Sequence, residues 1–110
     1  MSHPDPSYDS NDQLEHDLER GPDAIAHAKI EWRKATHERS KQEALLFARL
    51  KGEAEARGEQ LNATELKHLI NLDDELFKYK LAEITCEAEY ERVYEKHLAN
   101  KRRASLRTAF

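Results

Sequence analysis

Apolar residues recur along this chain at three- and four-residue intervals and almost never in alternation, so the pattern predicts helices and no sheet. The stretch from Leu61 onward holds neither Pro nor Gly and is rich in Leu, Ala, Glu and Lys. It opens on an Asn62 N-cap with Glu65 three residues later, and Leu61 and Leu66 occupy the two positions of a hydrophobic staple. One unbroken helix is therefore expected to about Leu106. At ~100° per residue, Leu66, Leu69, Ile70, Leu76, Phe77, Leu81, Ile84, Ala88, Tyr94 and Leu98 share one side, the expected contact face. Asp73, Lys80, Glu91 and Glu95 enter the same arc, so that seam is expected to be partly wet.

The first half predicts a partner for that helix. Residues 1–11 read as a polar, Pro-containing disordered segment, and residues 12–20 as two helical turns with Leu14 and Leu18 at i and i+4. Gly21-Pro22 is expected to stop those turns, and Pro22-Asp23 to open a second long helix running to about Arg57. Ile25, Ala28, Trp32 and Ala35 give it one apolar face, and Leu45, Leu46, Phe47, Ala48 and Leu50 a second apolar block. Residues 36–43 between them contain no apolar side chain, which breaks the seam there. Gly58 is the natural C-terminal stop, with Gly52 the alternative.

Two long helices joined by about four residues fold back as an antiparallel hairpin in which facing positions add to about 120. Leu46 and Phe47 then face residues 73–76, Lys29 faces Glu91, and Arg33 faces Glu87. The expected fold is thus all-α: an acidic flexible arm or short helix over residues 1–21, then a helical-hairpin domain over residues 22–110. A two-helix hairpin buries one side of each helix, which leaves Trp32, Leu72, Tyr79, Tyr90 and Tyr94 as an expected interface for a homo-oligomer.

Charge changes this picture more than composition does. With 36% charged against 38% hydrophobic residues the chain has little material for a thick core, which favours extended helices. The net charge of −4 is unevenly spread: residues 1–23 hold seven acids against Arg20 alone, so residues 24–110 sum to +2. Lys96, Lys101, Arg102, Arg103 and Arg107 close the chain with no acid between Lys96 and Arg107. A second basic group, Arg33, Lys34, Arg39, Lys41, Arg49 and Lys51, lies near Trp32 and Phe47. Cations for phosphates interleaved with rings for bases are what a single strand requires, so both groups are candidate nucleic-acid-binding residues.

No catalytic constellation is legible. His3, His16, His27, His37, His68 and His97 are scattered and read as surface residues, and none stands at i, i+4 from another as in a zinc helix. Cys86 is alone, so neither a disulfide framework nor a catalytic thiol is expected, and no metal or cofactor. Asn62-Ala63-Thr64 fits a glycosylation sequon but reads as a helix cap. No apolar run is long enough to span a bilayer, and a cytoplasmic location is expected.

The order of these features resembles the UvsY-like recombination mediators of phages over residues 22–107. A Trp-containing amphipathic helix is followed by Leu46-Phe47-Ala48-Arg49-Leu50-Lys51-Gly52, then Asn62-Ala63-Thr64-Glu65-Leu66-Lys67 opens a long helix ending in Lys101-Arg102-Arg103-Ala104-Ser105-Leu106-Arg107. The resemblance implies a helical oligomer that binds single-stranded DNA, displaces the single-strand-binding protein and helps load a RecA-like recombinase. The family's DNA-binding Leu-Lys-Ala-Arg-Leu stretch falls on residues 46–50, where Arg49 is kept and Phe47 replaces the Lys. The alternative is a non-catalytic adaptor or phage inhibitor that binds a host protein. A structural helix bundle of a virion comes third and an enzyme last.

Overall fold

The computed structural model describes the backbone of residues 6–108 and the side chains of residues 12–107. Three helices carry them: α1 (Pro6–Ala56), α2 (Ala63–Leu72) and α3 (Asp74–Thr108). The two long helices pack against each other as an all-α helical hairpin, with no strand among the described residues. Arg39 meets Glu83, Arg49 meets Asp73 and Gly21 faces His97, all close to the expected antiparallel register. Contacts divide the chain into two compact units, residues 1–30 with 88–110 and residues 31–87.

The turn between α1 and α2 forms as its residues dictate. Gly58 takes a left-handed φ of 73°, its N–H bonds to Glu55 O at 3.0 Å, and Glu59 N–H reaches Ala54 O at 2.8 Å. This is a Schellman end, which a side chain with a Cβ resists. Gly52 lies inside α1 in open surroundings, so the alternative early stop does not occur. Asn62 Oδ1 accepts the Glu65 N–H at 2.8 Å, and the Asn62 amide donates to Glu65 Oε1 at 3.1 Å. Leu66, one half of the expected staple, is buried.

Three expectations about helix limits are corrected. Gly21-Pro22 stops nothing, because α1 runs through both. Pro22 removes one backbone donor, but Leu14 on one side and Ala28 on the other are each only 6% exposed, so packing holds both flanks in helix. The disorder expected over residues 1–11 lies outside the described residues as far as residue 5; from Pro6 the backbone is helical. The second helix is not continuous either. Asp73 ends α2 in an extended conformation (φ −74°, ψ 119°), and its carboxylate accepts the Leu76 N–H at 2.8 Å, so one residue closes α2 and caps α3.

That break moves the seam. On an unbroken helix Phe77, Leu81 and Ile84 would continue the face of Leu66 and Ile70. After the break α3 instead turns inward Leu76, Lys80, Glu83 and Glu87, one residue out of phase. Phe77, Leu81 and Ile84 are left 60%, 52% and 59% exposed, contrary to the expected contact face. In residues 31–87 the core is Leu46, Ile70 and Leu76, with Leu50 packed on it. The apolar gap over residues 36–43 is closed by Arg39, which donates through Nε to Glu83 at 3.0 Å and through Nη1 to Glu43 at 2.8 Å. Glu83 and then Glu43, through these bonds, raise the guanidinium above the ordinary arginine value. Among the described residues, the ion pairs from α1 to the second half of the chain are Arg39 with Glu83 and Arg49 with Asp73; Lys29 with Glu91 and Arg33 with Glu87, expected to face each other, form none, and Lys29, Arg33 and Glu91 are exposed.

Candidate anion-binding groove

In residues 1–30 with 88–110 the inward positions of α1 are Leu14, Leu18, Gly21, Ile25 and Ala28, and those of α3 are Tyr90, Val93, His97, Asn100 and Ala104. Both sets alternate steps of three and four, the spacing of a knobs-into-holes seam. Two of the α3 knobs are polar: His97 is 7% and Asn100 6% exposed. Room for the imidazole comes from Gly21. A Cβ there would fall 2.6 Å from His97 Cε1 and 2.9 Å from Cγ, so only glycine admits the ring. His97 Nδ1 is buried with no hydrogen-bond partner, contrary to the surface role expected of every histidine.

Beside this seam runs a cationic flank. Lys96, Arg103 and Arg107 stand at i, i+7 and i+11, one edge of α3. The matching edge of α1 presents Gln13, Asp17 and Arg20 at i, i+4 and i+7. Between the two edges lie a cavity of about 160 Å³ bounded by Arg20, Gly21, Lys96, His97 and Asn100, and one of about 280 Å³ bounded by Gln13, Asn100, Arg103 and Arg107. Asp17 and Asn100 border both, so the cavities form one groove. Asp17, the one acid of its lining among the described residues, accepts from Gln13 Nε2 at 2.9 Å. Arg92, further along α3, is taken up by Glu89 through bonds of 2.6 and 2.9 Å, and these hold the Glu89 carboxyl below the usual glutamate value.

The predicted basic residues divide accordingly. Arg39 is turned into the seam and held by two carboxylates. Lys34 pairs with Glu31 at 3.5 Å, and Arg49 lies between Glu53 at 3.9 Å and Asp73 at 3.7 Å. Arg33 and Lys41 are exposed, and Lys51 borders a separate cavity beside the α1–α2 turn. Lys101 and Arg102 are exposed on α3 outside the groove, while Arg103 and Arg107 line it. Of the expected interface residues, Trp32, Tyr79 and Tyr90 are half-buried, whereas Leu72 and Tyr94 are 64% and 44% exposed. Tyr94 stacks on Tyr90 with centroids 6.1 Å apart.

Sequence reasoning missed Arg20, Asn100 and His97. Arg20 was counted only as the lone base of an acidic arm. The signal that could have found the other two is the three-four spacing from Tyr90 to Ala104, which places them inward. Among the described residues no cluster of three or more His, Cys, Asp or Glu side chains could hold a metal, and no helix is long and apolar enough to cross a membrane. No protein family, no curated protein and no solved structure matches this chain.

Proposed function

We propose that this chain is a non-catalytic protein of the cytoplasm that binds single-stranded DNA, as a phage-type recombination mediator working with a RecA-like recombinase and the single-strand-binding protein. The observation that carries the DNA-binding reading is the end of α3, where Lys101, Arg102 and Arg103 are exposed and enter none of the ion pairs of the described residues. Unsatisfied cations on a helix surface attract phosphates and release counterions when they bind them. The mediator role rests on the resemblance alone.

Fluorescence anisotropy with a labelled oligonucleotide across a salt series tests the DNA step. Affinity falls with salt, and replacing Lys101, Arg102 and Arg103 by Ala together flattens the log–log slope by about 2, since each single-strand phosphate contact adds ~0.7. An unchanged slope removes the assignment. The adaptor reading is favoured by a different observation, the exposed stripe of Phe77, Leu81 and Ile84. It predicts a protein partner whose binding survives those three replacements and is lost in Leu81→Glu.

A further inference from the structure

From the groove beside the α1–α3 seam we infer that this chain carries a discrete site for a small phosphate group, separate from the exposed Lys101 and Arg102. The inference deepens the DNA-binding reading without depending on those two residues.

Three observations converge on it. The first is charge: among the described residues, Arg20, Lys96, Arg103 and Arg107 line the groove beside one acid, Asp17. Three cations belong to one edge of α3 and the fourth reaches in from α1, so an anion in the groove is approached from two sides. Arg20 of α1 and Lys96 of α3 line the smaller cavity, and Arg103 and Arg107 of α3 the larger; the arginines can offer paired N–H donors to phosphate oxygens, which the lysine supplements as a point charge. The second is burial. Asn100 is 94% buried between the two cavities, and its amide can supply two neutral donors where water is scarce. His97 forms the inner wall of the smaller cavity. Its imidazole offers one N–H in addition.

The third is size. Cavities of about 160 and 280 Å³ each have room for a group the size of phosphate. They suit a tetrahedral oxyanion, and the His97 imidazole is the one aromatic ring that lines them among the described residues. The same chemistry serves a free phosphate and the terminal phosphate of a nucleic acid, so the experiment separates the two.

Titrating the full-length chain with sodium phosphate at constant ionic strength, with chloride as balance, reads the site directly by calorimetry and by the shift of the His97 ring protons. Saturable one-site binding is expected. Arg103→Gln and Lys96→Gln each weaken it at least tenfold, while Lys67→Gln, an equal loss of charge on α2, leaves it unchanged. Both test positions are exposed, and melting curves of the variants confirm that the fold is kept. Tighter binding of a 5′-phosphorylated oligonucleotide than of its 5′-hydroxyl twin assigns the site to a nucleic-acid end. Equal binding of the twins beside retained phosphate affinity assigns it to a free phosphate. The inference is overturned if phosphate does no more than chloride, or if neither groove variant changes its affinity. Loss of the DNA-binding reading alone, with the phosphate titration intact, leaves this site standing.

Discussion

At the residue scale the sharpest feature is the fit of His97 against Gly21. A Cβ at position 21 overlaps the imidazole of His97, a ring only 7% exposed, which must shift to admit it. Gly21→Ala is therefore expected to lower stability by up to about 2 kcal/mol, because an overpacking cost of about 1–3 kcal/mol outweighs the ~1 kcal/mol gain in helix propensity. The cause is isolated by adding His97→Ala. If the clash is the reason, Gly21→Ala costs little or even stabilises in that background, and the two changes couple by more than about 1 kcal/mol in a double-mutant cycle. Urea denaturation of the four proteins provides the measurement. Additive effects would mean that the glycine serves the neighbouring Pro22 instead. Such a pairing could not be read from the sequence, because Gly21-Pro22 carries the local signature of a stop and only a partner helix overrides it.

At the element scale the legible features were those with local causes. Asn62 with Glu65 and Gly58 declare their roles within four residues of themselves, and each acts as read. The phase of α3 was not legible, because Asp73 sits in a helical pattern and breaks it through its own carboxylate on Leu76 N–H. A shift of one residue then sent Phe77, Leu81 and Ile84 outward and Glu83 inward. The polar middle of α1 makes the corresponding prediction. Arg39 and Glu83 are 26% and 22% exposed at the side chain, so their attraction is partly offset by desolvation. Arg39→Met alone strands Glu83 and is expected to lower stability by about 1 kcal/mol after allowance for residual solvent. Arg39→Met with Glu83→Leu restores or exceeds the original stability, since the flanking seam positions are helical and can take apolar side chains. Thermal melts of the single and double variants at neutral pH decide it, and a double variant weaker than the original protein would show that the ion pair is a net stabiliser.

At the scale of the whole molecule, the phase shift bears on assembly. Of the residues expected at an interface between copies, Trp32, Tyr79 and Tyr90 are half-buried in the chain itself. Ile30, Tyr94 and Leu106 are exposed in the unit of residues 1–30 with 88–110, while in residues 31–87 Phe77, Leu81 and Ile84 at i, i+4 and i+7 form a continuous stripe along α3, with Leu72 64% exposed. Water contact with such a stripe is unfavourable by about 25 cal/mol per Å² of apolar area, and a helix stripe of this spacing is the kind that another helix covers. A second copy of the same chain is the proposed cover, and the cationic groove, in the other compact unit, contributes no residue to that stripe. Light scattering at micromolar concentration is expected to give more than one chain mass, and Leu81→Glu to return a single one with its helix content intact. DNA affinity in Leu81→Glu should then fall by more than tenfold although no cation has been removed, because linked sites raise the effective local concentration of one another. Full affinity in a monomeric Leu81→Glu would uncouple assembly from binding and leave the stripe to a different protein.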